Sequence, residues 1–271
     1  MEGTRGDLVT PLGPCSPFRS LRSSPVCLAN SPLIYSSRLS NRLSFLGGMP
    51  VLPKIGLVAV AYLLGSIPFG YLLVKYAFTS GEDVRRIGSG GTGATNVTRR
   101  AGPAAGLLTY LLDAGKGMGA VFLMRLVAEG NYFWIGAAGT AAIVGHIFPL
   151  FLGFRGGKGV STGVGIYLMI APYSVLAALV VWAVIVASTR YVSLGSLVAA
   201  GALPVLTWLF YGVLQSDQHV AAMMITALSA FALILFAHRE NVHRLIRGEE
   251  KRFGKRVEQP GQKKAAREGQ S

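Results

Sequence analysis

Three polar clusters interrupt an otherwise apolar sequence: Gly88-Ser89-Gly90-Gly91-Thr92-Gly93-Ala94-Thr95-Asn96-Val97-Thr98-Arg99, Gly153-Phe154-Arg155-Gly156-Gly157-Lys158-Gly159, and His238-Arg239-Glu240-Asn241-Val242-His243-Arg244. In the first, glycines let backbone N–H groups approach an anion closely, and Ser89, Thr92, Thr95 and Asn96 add neutral donors. Arg99 adds a guanidinium able to grip an oxyanion with two parallel bonds. In the second, glycines surround Lys158, a point charge just ahead of a helix that opens at Val160. In the third, His238, Asn241 and Arg244 or Leu245 recur at helical spacing and can share one face. Such groups bind phosphate, and their place beside long apolar runs puts that chemistry at a bilayer surface.

Several better-known motifs are imitated and then fail on context. Residues 88–93 satisfy the G-x-G-x-x-G pattern, but an apolar span and a charged loop precede them where a dinucleotide site needs a strand. Residues 153–159 resemble a Walker A loop one residue short, with Gly159 where Ser or Thr should hold magnesium. His238 and His243 lack an H-E-x-x-H frame, so no metal site is expected. Plainer readings also exist: a flexible polar loop, a cationic membrane anchor with glycine hinges, and an interfacial histidine that snorkels. The coincidence of glycines, hydroxyls and fixed cations favours the anion-binding reading. Inside the apolar spans, Asp113 and Lys116 sit at helical spacing and suit an internal ion pair supporting the site. His146 fits either core hydrogen bonding or the lining of the site.

The elements that must position these groups are membrane helices. The chain is 51% hydrophobic and 14% charged, against about 25% charged in an ordinary soluble domain. Its mean hydropathy is +0.48. The net charge of +14 falls mainly in the N-terminal segment, the loops and the tail, which favours a membrane surface over nucleic acid. Both cysteines, Cys15 and Cys27, precede the membrane part, so no disulfide framework is expected there.

Apolar runs cover roughly 54–78, 104–128, 132–152, 160–187, 191–213 and 218–237, each near the ~20 residues a bilayer needs. The fourth is too long. Pro172, which lacks an N–H and clashes with the preceding turn, divides it at Ala171-Pro172-Tyr173. With the division, all three clusters and Ser188-Thr189-Arg190 fall on one side. The loops on the other side, Glu129-Gly130-Asn131, the Pro172 turn and Gln215-Ser216-Asp217-Gln218, contain no Lys or Arg, so the cluster side is cytoplasmic. The expected fold class is therefore all-α: a polytopic membrane protein with about seven transmembrane helices, N-terminus outside and C-terminus cytoplasmic. Residues 1–48, rich in Ser, Pro and Arg, are expected to form a disordered extension or to result from a start codon placed upstream of Met49. Residues 49–253 form the membrane domain and 254–271 a polar cytoplasmic tail.

The clusters, in this order and spacing, resemble the bacterial membrane acyl-phosphate:glycerol-3-phosphate acyltransferase family. The match runs from about Leu57 to Phe253 and includes Gly-Ser-Ile-Pro-Phe-Gly at 65–70, Leu-Asp-Ala-Gly-Lys-Gly at 112–117, Gly-His-Ile-Phe-Pro at 145–149 and Arg-Tyr-Val-Ser at 190–193, besides the clusters. The resemblance implies a seven-helix fold in the bacterial inner membrane with its site facing the cytoplasm. It implies transfer of a fatty acyl group from acyl phosphate to the 1-hydroxyl of glycerol 3-phosphate, giving 1-acylglycerol 3-phosphate and phosphate, the first acylation of phospholipid synthesis. No cofactor, metal or nucleic acid is implied. Membrane lipid and the soluble enzyme that makes acyl phosphate are the implied partners.

By the same resemblance Ser89, Arg99, His238 and Asn241 serve catalysis. The resemblance ties Gly153, Gly156, Gly157 and Gly159 to glycerol 3-phosphate binding and Glu250 to structural integrity. From their own chemistry and position Gly90, Thr95, Asn96, Lys158 and Ser193 are read as further substrate-binding residues, and Asp113 and Lys116 as structural support. Two positions depart from the family pattern. Gly91 stands where Asn is usual, removing a side-chain amide, and Arg155 replaces Lys, keeping the charge.

The implied chemistry agrees with the residues. Two phosphorylated substrates, one with a long acyl chain, need two anion clamps beside a lipid-accessible groove. Acyl phosphate is an activated anhydride whose leaving phosphate can take the hydroxyl's proton, so a histidine–carboxylate base is dispensable. No aspartate lies five residues after any histidine; Phe151, Met224, His243 and Gly248 fill those positions. Ser89 and Asn241 are then expected as donors to developing charge, with Arg99, Lys158 and His238 as phosphate ligands. A transporter would thread polar groups toward the midplane of several helices, and a scaffold has no use for three anion-binding loops.

Overall fold

The computed structural model describes residues 50–79, 81–86 and 90–253. The expected extension at 1–48, the tail at 254–271 and Ser89 lie outside the described residues. Among the described residues every regular element is helical: α1 (Val51–Gly65), α2 (Ala94–Arg125), α3 (Tyr132–Ile147), α4 (Val160–Ile170), α5 (Pro172–Thr189), α6 (Val192–Thr207), α7 (Val220–Ala237) and the short α8 (Arg239–Ile246), with brief π- and 3₁₀-helical stretches beside them. The all-helical membrane architecture expected from the apolar runs is what the chain forms.

Six spans among the described residues are long and apolar enough to cross a bilayer, and α4 is a shorter apolar helix of 11 residues. At 1.5 Å per residue α4 is roughly 16 Å long, about half the hydrocarbon thickness. The division at Pro172 is present. Helix α4 ends at Ile170, Ala171 leaves the helical conformation, and Pro172 opens α5 at the position where its missing N–H costs nothing.

Two spans bend where the sequence removes backbone donors. The first is interrupted after Gly65 at Ser66-Ile67-Pro68 and resumes as a short helix (Phe69–Leu72) running into a π-helical stretch (Leu73–Phe78). Helix α2 is broken by Gly102, whose φ of 88° is left-handed, just before Pro103. The segment carrying Thr95, Asn96 and Arg99 is thus set off from the membrane-spanning part of α2.

The core mixes small and polar residues with larger apolar ones such as Met124, Ile135, Ile143, Ile166 and Tyr167, while many other large apolar side chains point outward. Leu52, Leu107, Phe133, Val180, Val205 and Leu228 are exposed, whereas Thr109, Asp113, Thr162, Ser174 and Ser196 are buried among alanines and glycines. Lipid tails are as apolar as leucine, so membrane helices associate by close backbone packing, which small residues permit. Helix α2 packs most extensively on α4, α1 on α3, and α5 on α6. A Cβ on Gly65 would overlap the Ala142 carbonyl and one on Gly145 the Tyr62 carbonyl, while Gly117 and Gly165 stand in the same relation to Thr162 and Ala114.

Arg125 places a cation at the end of α2 next to the loop expected to be free of positive charge. Its guanidinium donates to the Met169 carbonyl at 2.5 Å. It therefore satisfies one of the carbonyls left open at the C-terminal end of α4, a structural use that loop-charge counting does not see.

Candidate active site

One cavity of about 440 Å³ gathers residues from all three polar clusters. Gly91, Thr95, Asn96 and Arg99 come from the first, Gly157, Lys158 and Gly159 from the second, His238, Asn241 and Arg244 from the third, joined by Ser193 and Glu250. The clusters thus share one side of the bundle.

Two of the helices that begin at its wall are preceded by glycine. Gly93 precedes the first turn of α2, and Gly159 precedes that of α4. Gly159 has φ of 79°, a left-handed conformation that side chains rarely adopt. Helix N-termini carry partial positive charge and outward-directed N–H groups, so both favour an anion between them. Four basic side chains, Arg99, Lys158, Arg244 and Lys251, line the cavity against one carboxylate, Glu250.

Glu250 organises the third cluster. Its Oε1 accepts from Ser193 Oγ at 2.9 Å and Asn241 Nδ2 at 2.7 Å, and its Oε2 accepts from Arg244 Nε at 2.9 Å. Burial pushes this carboxyl up, but donors from Arg244, Asn241 and Ser193 outweigh it and hold it below the usual carboxylate range. Asn241 Oδ1 in turn accepts from Lys158 Nζ at 2.5 Å. Both ends of the Asn241 amide are therefore engaged, and the residue links Lys158 to Glu250.

Burial lowers Lys158 to about 8, with Glu250 opposing the shift and Arg244 and Arg99 reinforcing it. His238 is driven down to about 4, by burial first and then by the nearby Lys158 charge. Its Nδ1 lies 2.8 Å from the Ile234 carbonyl. A carbonyl oxygen can only accept, so Nδ1 holds the proton and Nε2 offers a lone pair. At neutral pH burial therefore favours uncharged His238, with Nε2 as an acceptor.

The second cluster is also built differently from a backbone cradle. Gly156 N donates to Ile147 O at 3.2 Å and Gly157 N to His146 O at 3.0 Å, so these N–H groups cap the end of α3. Gly156 O accepts from Thr92 N at 3.4 Å, tying the second cluster to the first. Gly90, Gly153 and Gly156 do not line the cavity; Gly90 and Gly153 have positive φ and turn the chain instead. Asn96 lines it, but its Nδ2 donates to Val84 O at 3.1 Å and Gly91 O at 2.9 Å, locking the first loop onto α2. Asp113 and Lys116 lie outside the lining as a buried pair at 3.0 Å, with Lys116 Nζ donating to Ile67 O at 3.1 Å.

Sequence reasoning called for a lipid-accessible groove but named none of the residues of its apolar wall. Val164, Leu179 and Trp182 line the cavity, and Trp182 Nε1 donates to Ser196 Oγ at 3.3 Å. These residues continue into a narrow apolar groove that reaches Tyr167, Val175, Leu203 and Phe231. On α4, α5 and α6 alike, seven residues separate its two ends, a length of roughly 10 Å. Only Trp182, a large polar-tipped side chain within an apolar span, gave a signal that could have pointed here.

The family described as Glycerol-3-phosphate acyltransferase matches residues 55–248. The chain is 43% identical over 203 residues to a glycerol-3-phosphate acyltransferase of Geobacter sulfurreducens, covering 75% of this chain and 99% of that protein. It is 45% identical over 200 residues to one from Anaeromyxobacter dehalogenans, covering 72% and 95%. Among solved structures it resembles PlsY (YgiH), an integral membrane glycerol 3-phosphate acyltransferase. The glycerol 3-phosphate form has a TM-score of 0.66 at 38% identity, covering 74% of this chain and 96% of that one. The lysophosphatidic acid form has a TM-score of 0.64 at 37% identity over the same shares. With most of its described helices and all but Glu250 and Lys251 of the cavity lining inside the matched region, this chain belongs to the glycerol-3-phosphate acyltransferase family.

Proposed function

We propose that the protein transfers a fatty acyl group from acyl phosphate to the 1-hydroxyl of glycerol 3-phosphate, at the cytoplasmic face of a bacterial inner membrane. The observation that carries this reading is a cationic cavity, entered by two helix N-termini, that opens into an apolar groove. The cavity suits two phosphates and the groove an acyl chain. Related structures captured in a glycerol 3-phosphate form and a lysophosphatidic acid form support the acceptor and the product.

In this mechanism Lys158 and Arg99 hold the phosphate of glycerol 3-phosphate, with the first turn of α4 and Thr95 completing the anion site. Asn241 acts mainly by fixing Lys158, and Glu250 by fixing Asn241. The Nε2 lone pair of His238 orients the attacking 1-hydroxyl. That oxygen bonds to the acyl carbon, the carbon–oxygen bond to phosphate breaks, and the hydroxyl proton passes to the departing phosphate. Ser89 is assigned as a donor to the developing charge. Orientation of two bound reactants supplies much of the acceleration.

Purified protein given labelled glycerol 3-phosphate should form lysophosphatidic acid with palmitoyl phosphate and none with palmitoyl-CoA. Equal use of the thioester would overturn the assignment of the donor. Sidedness is separately testable in a Cys15→Ser/Cys27→Ser background. Arg155→Cys and Glu249→Cys should resist an impermeant thiol reagent in intact cells, while Ser216→Cys, exposed at the opposite end, should react. Labelling of the first two would reverse the orientation.

A further inference from the structure

We infer that His146 is a positioning residue for the anion-binding loop: its ring is the surface on which Gly157 rests, and its place fixes that of Lys158. This rests on the reading of Lys158 as a phosphate ligand. His146 belongs to the last turn of α3 and is 5% exposed. Its carbonyl accepts from Gly157 N at 3.0 Å, while its Nδ1 meets Thr162 Oγ1 at 3.1 Å and lies 3.7 Å from Asp113 Oδ1. Asp113 is held by Lys116, and Lys116 by the Ile67 carbonyl at the break after α1.

The ring is therefore fixed from α2 and α4 on one side and carries the loop on the other. A Cβ added to Gly157 would overlap ring atom Nε2, and the three nearest heavy atoms all belong to the His146 ring. Gly157 has no positive φ, so its backbone accepts alanine. The glycine is required by the histidine and by nothing else among its nearest neighbours. Gly156 offers the contrast: its Cβ would overlap the His146 backbone carbonyl and approach Pro149. No change of the His146 side chain relieves that overlap.

This arrangement predicts a specific pattern of suppression. Gly157→Ala should lower kcat/KM for glycerol 3-phosphate by about 100-fold, and His146→Ala should raise that KM about tenfold with little change in kcat. In the double variant the two losses should not multiply. Activity should return to within about threefold of His146→Ala, because neighbours that share one contact are not additive. Gly156→Ala should lose as much as Gly157→Ala and gain nothing from His146→Ala. Thr162→Val, which keeps the shape but removes the Nδ1 partner, should raise the same KM severalfold at normal folded yield.

The rise in Tm produced by glycerol 3-phosphate should follow the same order, and it reads binding without acyl transfer. Losses that multiply in the double variant, or rescue of Gly156→Ala as well, would overturn the inference. If the wild type shows the binding pattern yet transfers no acyl group, the proposed reaction fails while the positioning role stands.

Discussion

Replacing Lys158 with alanine is expected to lower kcat/KM for glycerol 3-phosphate by about 10- to 150-fold, the equivalent of the 1.5–3 kcal/mol of a hydrogen bond to a charged group. Most of this should appear in KM, since the phosphate does not react and is held alike before and at the transition state. The same residue sets a pH dependence. Lysine binds phosphate only when protonated, and burial brings the Lys158 ammonium to about 8. Below that pH the cation is present; above it the charge is lost. The profile of kcat/KM for glycerol 3-phosphate, which reports the free enzyme, should therefore fall above a pH of about 8. Lys158→Arg should be slower, since the planar group does not replace a point charge, but its alkaline fall should disappear because guanidinium stays protonated. Steady-state rates between pH 6 and pH 10 decide this, and a wild-type profile flat to pH 10 would overturn the assignment of an alkaline fall to Lys158, whose binding role is then judged by Lys158→Ala.

The division of fold and site between sequence and tertiary context follows from range. Pro172 divides α4 from α5 through its own missing N–H and ring, so one residue predicts the boundary. The gathering of Arg99, Lys158 and His238 followed from counting spans and loop charge, because parity decides which loops share a side. The kink at Gly102 and the break before Pro68 carried the same local signals, yet both lay within runs whose hydropathy dominates. Arg125 sits where charge counting expects no cation, because its partner, the Met169 carbonyl, belongs to another helix. The state of His238 depends on burial and on Lys158, a residue 80 positions away in the chain. The Gly156 and Gly157 N–H groups look available in sequence, but the open carbonyls at the end of α3 take them. The groove beyond Trp182 is formed by α4, α5, α6 and α7 together, and a wall made of ordinary valines and leucines has no motif.

Two glycines on one helix should respond in opposite ways to the same substitution. Gly115 and Gly117 both lie in α2, but Gly115 is exposed with nothing within 4 Å of an added Cβ, whereas Gly117 faces the Thr162 carbonyl on α4. Gly115→Ala adds a methyl group where there is room and reduces the freedom of the unfolded chain, so it should stabilise by about 0.5–1 kcal/mol. Gly117→Ala places that methyl against a carbonyl that cannot rotate away, and the helices must separate, at a cost of about 1–3 kcal/mol. The functional loss should exceed the stability loss, because α2 leads back to Arg99 and α4 starts directly after Lys158 and Gly159. Moving one helix on the other displaces the two phosphate ligands relative to each other, and a misplacement of about 1 Å can cost 100-fold in rate. Melting temperature in detergent and kcat/KM, measured on both variants, form the test. Gly117→Ala should melt lower and lose activity by about that factor, and Gly115→Ala should melt higher and keep it. Equal behaviour of the two would mean that the α2–α4 contact does not set the spacing of the site.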